Sequence, residues 1–435
     1  MANQPDTAVN GKEVPRLKKC AIALLFISGL LCAGCYGSRE TDELAYVLIV
    51  GVDKTETGKQ KVTYQFAIPR KASGSRDGDS PEEPKQGKGE KPWTVSSIIS
   101  PTSAEGRSLF NATLSRLPRL NHVTAYVFSE EVARDGIGPR ITYNIRNPEF
   151  RETMFLIVVQ GSAEEYIKTN DPSLAQTISK YYQIMFASAK ESGYYLPANY
   201  HRFYARLKNN GGSPYATYSG INPMTGTNKP AAAKTPEQKG DPYLPQGVPR
   251  TGTENPAEFL GLAVFRGDKM VGVLNSDESR AVALLQGEFA YGYVGIADPL
   301  KPEKDTVNVL LRYDRKPDIS ASLHNNQAAF VIHLDIDAEI LGISAETNYE
   351  TAKLRPVLEK QLANLLQQQI TRMLKHTQEL GVDPVGLGLY LRPHFANTQA
   401  MERADLTALY RAAALDITVT ANIRRTGLKW RNTFQ

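Results

Sequence analysis

From Phe330 to Ile340 the sequence alternates without a break. Phe330, Ile332, Leu334, Ile336, Ala338 and Ile340 take one face, and Val331, His333, Asp335, Asp337 and Glu339 take the other. A period of two sustained over that length specifies an extended strand with one buried face. The period then changes. Residues 350–380 place Leu354, Leu358, Leu362, Leu365, Leu366, Ile370, Met373 and Leu374 at the i, i+3, i+4 spacing of an amphipathic helix. Pro356 either kinks its first turns or marks its true start. Counted from Glu350 the helix is a rod of about 46 Å, and shorter if it begins at the proline. A strand face and a helix stripe both need cover. One long helix laid across an antiparallel sheet is the simplest way to bury each.

Shorter elements surround this pair. Residues 260–265 and 269–274 flank Gly267-Asp268 as a hairpin, and Asn275 with Glu278 three residues on has capping-box spacing. Strands are expected over 307–313 and 319–323, with a helix near 398–413 and a closing strand in "DITVTANIRR". In the N-terminal part, strands are expected over 46–52, 61–68 and 94–99, and within "HVTAYVFS" and "TMFLIVVQG". Helices are expected near 104–117 and 137–145, and 172–208 reads as mostly helical. The fold class is therefore α+β: a mixed α/β N-terminal region, then a C-terminal antiparallel sheet packed by one long helix. Residues 70–92 read as a solvated loop. Residues 209–256 are dominated by Gly, Pro, Thr and Asn, with only "YATYSGI" able to form a strand, and read as a connection.

Composition narrows the function. Hydrophobic residues at 41% and charged residues at 22% describe a globular protein, and 435 residues favour two or three domains. Lys plus Arg at 51 against Asp plus Glu at 46 leaves +5, too small an excess over this length to imply nucleic acid.

The first 35 residues supply an address. Arg16, Lys18 and Lys19 precede an apolar run from Cys20 to Ala33 of roughly 14 residues, broken only by Ser28. That run is short of the ~20 residues a membrane span needs and fits the core of a secretory signal. Ala33 and Gly34 then precede Cys35, as in a bacterial lipoprotein signal, although Cys32 stands where leucine is usual. Cleavage before Cys35 leaves it as the lipidated first residue, carrying S-diacylglycerol and an N-acyl chain. Two buried chains anchor stably where one binds reversibly. A Cys-x-x-Cys redox pair would need a folded domain around Cys32 and Cys35, and an uncleaved anchor helix is the other alternative. Cysteines occur only at 20, 32 and 35, so the mature body has no disulfide. The expected organisation is a leader at 1–34, an N-terminal α/β domain at 35–208, a connection at 209–256 and a C-terminal domain at 257–435.

Four stretches carry a family resemblance: "RETDELAYVLIVGVDKT" (39–55) after the lipidation cysteine, "GLAVFRGDKMVGVLNSDESRAVALLQGE" (261–288), "ELGVDPVGLG" (379–388) after the long helix, and the terminal "IRRTGL" (423–428). In this order and spacing the chain resembles the Ger(x)C family, the lipoprotein C subunits of spore germinant receptors. The loops 70–92 and 221–256 are longer than the family needs, and a glycine expected after Arg280 is absent. The resemblance implies a non-enzymatic subunit working beside an A subunit and a multispanning B subunit in the spore inner membrane. It implies no catalytic residue, no cofactor and no metal. It leaves direct germinant binding open, and Cys35 is the one functional residue that transfers.

Rival signals are bland beside this. His333, Asp335, Asp337 and Glu339 share a strand face and could hold a cation, but alternation with apolar partners already accounts for them. The six histidines show no paired ligand spacing, and no GxSxG occurs. "GVDPVGLG" follows a helix and lacks the third glycine of a dinucleotide loop, so Asp383 with Pro384 reads as the cap of a short helix. Tyr181, Tyr182, Ile184, Met185 and Phe186 could line a solute site, yet helical packing explains them. The competing function is a lipid-anchored solute-binding protein of a transporter, for which two doubly wound lobes would be expected.

Overall fold

The computed structural model describes residues 43–68, 91–175, 177–208, 212–222, 243–248, 250, 255–303, 305–313, 315–343 and 347–425. Along the N-terminal half the chain forms β1 (Leu44–Lys54), β2 (Gln60–Ala67), β3 (Trp93–Ser100), α1 (Ser103–Phe110), β4 (Leu117–Arg119), β5 (Ala125–Ser129), α2 (Glu130–Asp135), α3 (Gly138–Arg146), β6 (Phe155–Val159), α4 (Ala163–Thr169), α5 (Ile178–Ser188), α6 (Tyr200–Lys208) and β7 (Tyr215–Ile221). It continues through β8 (Ala257–Arg266), β9 (Lys269–Leu274), α7 (Ser276–Gln286), β10 (Tyr291–Ala297), β11 (Thr306–Tyr313), β12 (Asp318–His324), β13 (Gln327–Ile343), α8 (Arg355–Leu380), α9 (Thr398–Arg403), α10 (Leu406–Arg411) and β14 (Ala414–Arg425).

The first sheet runs β3-β2-β1-β5-β6-β7-β8-β9, with β4 parallel beside the start of β1. Its centre, β1-β5-β6-β7, is parallel, and both flanks are antiparallel. Helices cover both faces, so the central strands are apolar without alternation: all of β5 is buried, and β8 is buried up to Arg266. Tyr126, Phe128, Leu156 and Val158 enter one core, and Ala125, Val127, Ile157 and Val159 enter the opposite one. The helix expected over 104–117 ends at Phe110. Ala112 and Thr113 close it with bonds to Leu109 and Phe110, and Leu117, held extended by Pro118, starts β4. Two sheet assignments differ from the sequence expectation. "YATYSGI" is β7, an interior strand of this sheet, and the hairpin expected to open the C-terminal domain is β8-β9, the last two strands of the N-terminal sheet.

The second sheet is organised by β13. Strand β14 runs parallel to its residues 329–339, while β12 pairs with 327–333 and β11 with 336–343. A strand has two edges, so β12 and β11 share the one that β14 leaves free. Strands β11 to β13 pair antiparallel as expected, and β10, a strand the sequence pattern does not reveal, pairs antiparallel with β11; β14 is parallel because α8 carries the chain back to the end where β13 began. Asn325 and Asn326, with φ of 49° and 64°, form the tight β12-β13 turn. Phe330, Ile332, Leu334, Ile336, Ala338 and Ile340 are all buried, and α8 covers them with Leu358, Leu362, Leu366, Ile370, Met373 and Leu374. Pro356 stands in the first turn of α8, so it marks the start, and 26 residues give about 39 Å. The expected helix at 398–413 is two short helices, α9 and α10, each capped by its own residue, Asn397 and Asp405. One core joins the halves: Leu262, Val264 and Leu274 of the first sheet pack in the same cluster as α7, α8 and β13.

Candidate functional site

Cys35 and its leader lie outside the described residues, as do the loop 69–90, residues 223–242, and the end of the terminal motif after Arg425. What the structure places are the charged residues of the other motifs. Asp53, Asp268, Asp277, Glu278, Arg280 and Asp383 are spent on holding elements together.

In "GVDKT", Asp53, the last residue but one of β1, accepts from the N–H groups of Ala163 (2.7 Å) and Glu164 (2.8 Å) and from the Ser162 hydroxyl (3.2 Å). A carboxylate at the unsatisfied amides of a helix start is favourable, and here it ties α4 to the sheet. Beside it Glu164 accepts from Lys61, Lys168 and Ser97. Burial pushes its carboxyl up, but the bonds from Lys168, Lys61 and Ser97 outweigh that and bring it down to about 2.

The second motif builds two joints. Its turn docks on α3: the Asp268 carboxylate accepts from Gly138 N–H at 3.0 Å and its carbonyl accepts from Ile137 N–H. Gly261 has φ +91°, and a Cβ there would stand 2.3 Å from the Leu274 carbonyl oxygen, so glycine is required for the β8-β9 approach. Asn275 and Glu278 form the expected capping box, and Glu278 also meets His376 Nδ1 of α8 at 2.8 Å. Asp277 accepts from Arg280 and from Gln369 of α8, and the buried Arg280 guanidinium lies over the Tyr194 ring. Burial raises the Asp277 carboxyl despite Arg280 and Arg372.

The third motif is a latch between the halves. Asp383 is buried and accepts from the N–H groups of Gly386 (2.7 Å) and Gly388 (2.8 Å), capping the 3-10 turn Leu387–His394 as the sequence suggests. Its backbone pairs with Ser213 just before β7: Ser213 N–H donates to the Asp383 carbonyl, and Asp383 N–H donates to the Ser213 hydroxyl. Arg206 of α6 donates to the carbonyls of Ser213 and Pro384, and Gln286 of α7 donates to Pro384. Burial raises the Asp383 carboxyl above the ordinary aspartate range. A cleft of about 480 Å³ opens beside the latch, with Arg206, Glu288, Lys316, Leu389 and Tyr390 in its wall. Ser213, Arg206 and Gln286 carry no sequence signal for this role, because their partner lies about a hundred residues or more away in the chain.

The strand face of His333, Asp335, Asp337 and Glu339 is matched by arginines: Arg315 on Asp335, Arg424 on Asp337 at 2.8 Å, and Arg312 on Glu339 at 3.4 Å. Among the described residues no group of three or more His, Cys, Asp or Glu could hold a metal ion. Tyr182 and Phe186 are buried in an aromatic cluster with Tyr195 and Phe259, whereas Ile184 is exposed. In the terminal motif, Ile423 N–H donates to the Glu359 carboxylate of α8.

Comparison with known proteins accounts for these motifs together. Residues 37–221 match the spore germination protein N-terminal domain, and residues 260–427 match the spore germination B3/GerAC-like C-terminal domain. YfkR of Bacillus subtilis (strain 168), provisionally named a spore germination protein, is 23% identical over 95% of this chain and 97% of its own length. Spore germination protein KC of the same strain is 22% identical over 95% of this chain and 97% of its own. Among solved structures, the crystal structure of the GerBC protein aligns with a TM-score of 0.48 and 14% identity, covering 86% of this chain and 96% of that one.

Proposed function

We propose, for a chain that belongs to the Ger(x)C family of spore germination proteins, the role of the lipid-anchored C subunit of a spore germinant receptor. The observation that carries this reading is the match of both family domains, in order, along nearly the whole chain. In the proposed protein the leader ends at Gly34 and lipidated Cys35 holds the body on the outer face of the membrane. The body is read as an N-terminal domain at 35–208, a connection at 209–256 and a C-terminal domain from 257, whose first hairpin, β8-β9, joins the N-terminal sheet. Partners are an A subunit and a multispanning B subunit, met through protein surfaces and not through a catalytic step. The inward use of Asp53, Asp277, Glu278 and Asp383 supports a structural part for the motifs.

Purification from spore membranes tests the role. A and B subunits should come with the chain, and recovery without any multispanning partner would sink the receptor reading. Blocking signal cleavage with globomycin should leave the leader attached, and Cys35→Ala should abolish lipidation; a mature mass without lipid refutes the anchor. The cleft beside the latch favours a second reading, a lipid-anchored solute-binding protein. Micromolar binding of an amino acid or sugar by calorimetry would reverse the order.

A further inference from the structure

The lipid anchor proposed above sits at a defined end of the fold. From Cys35 to Leu44, the first residue of β1, the chain can span at most about 32 Å at ~3.3–3.6 Å per residue. Strand β1 itself is 11 residues, about 36 Å. The end of the sheet where β1 starts is therefore the one a short tether keeps near the bilayer.

That end has a charge of its own. Arg116 precedes β4, which pairs with the first residues of β1. Arg146 is the last residue of α3 as it returns to the start of β6. Arg151 stands by His122, whose ring packs on Tyr46 at 4.9 Å. Lys180 follows Ser179, whose hydroxyl meets that of Thr124 at the start of β5. None of the four has an ion-pair partner among the described residues, and Arg146, Arg151 and Lys180 are exposed. Among the described residues the carboxylates here include Glu149, shared by Arg107 and Arg119, Glu152, on His201, and Glu43; the tether adds Glu40 and Asp42 beside Arg39, and residues 69–90, which join β2 to β3 at this end, carry five acids balanced by five Lys and Arg. The opposite end carries Glu130, Glu131, Glu164 and Glu165 in the first turns of α2 and α4.

We propose that the end of the N-terminal sheet marked by Arg116, Arg146, Arg151 and Lys180 faces the membrane and binds anionic lipid headgroups. Unpaired cations held within a Debye length of an anionic leaflet are attracted to it, and the attraction is screened by salt. The tether brings this end to the surface, and the cations select it over a side-on or inverted pose.

This inference rests on the anchor reading, and one experiment separates the two. Lipidated full-length protein, labelled through Thr153→Cys near the proposed face or Thr57→Cys at the far end, is placed on vesicles of phosphatidylglycerol and phosphatidylcholine in equal amounts. The vesicles carry a headgroup quencher. Quenching should be several-fold stronger at 153 than at 57, and high salt should reduce the difference. The variant Arg116→Glu, Arg146→Glu, Arg151→Glu, Lys180→Glu should lose the difference while its thermal melt is unchanged. Equal or reversed quenching overturns the face, as does a difference that survives either high salt or a correctly folded charge-reversal variant. If that variant does not fold, the salt response and a comparison on pure phosphatidylcholine vesicles decide alone. Mass spectrometry of the same sample reads the anchor independently; a chain that lacks lipid and also fails to reach the anionic vesicles overturns both.

Discussion

The two sheets solve the same problem differently. The first is covered by helices on both faces, and its central strands are uninterrupted apolar runs such as "FLIVV" in β6. The second is covered by α8 on one face and opens on the other, and β10 and β13 alternate accordingly. Two-sided burial erases the period that tells which way a side chain points, whereas one-sided burial writes it into the sequence. The halves also differ in how they hold acids. Glu164 sits among cations at the first sheet, while Asp383 is buried at the latch between the halves and held by backbone amides.

The largest expected effect tests whether the two sheets are separate at all. Phe330 lies in the core that also contains Leu262 and Val264 of β8. Phe330→Ala should cost about 3–5 kcal/mol and shift a single urea transition followed by circular dichroism. Two resolved transitions would break the picture of one shared core. Next comes Asp383→Ala, which leaves the N–H groups of Gly386 and Gly388 without their acceptor and should cost about 2–3 kcal/mol in the same assay.

The same two carboxylates should respond to pH with opposite signs. Burial raises the folded Asp383, so the stability it contributes is complete below the unfolded aspartate value and is lost as pH rises through the higher folded one. Asp383→Asn should therefore cost less as pH rises. Glu164 is brought down to about 2, so its contribution is present above the unfolded value near 4.5 and is lost as pH falls toward 2. Glu164→Gln should cost less as pH falls. Urea titrations across the acid range check both, and parallel slopes would remove the contrast. The smallest effect is at the start of α7, where Asn275→Ala removes one arm of the capping box and should cost about 1 kcal/mol.

Much of this was legible. The alternation through Phe330 and Ile340, the stripe of α8, the capping box of Asn275 and Glu278 and the capping role of Asp383 all depend on residues a few positions apart. What escaped was membership. "YATYSGI" reads as a possible strand, but nothing within it says that β6 and β8 flank it. The parallel pairing of β14 escaped for the same reason, as did strand β10.

The sequence by itself determined the local periods, the caps and turns, and the order of family motifs, because a covalent chain sets which neighbours share a face. Tertiary structure alone decided that β8-β9 closes the first sheet, that α7, α8 and β8 share a core, and that Ser213 meets Asp383 across 170 residues. A strand edge or a backbone amide accepts any partner with the right geometry, so the choice among distant partners is made by the whole packing and leaves no local mark.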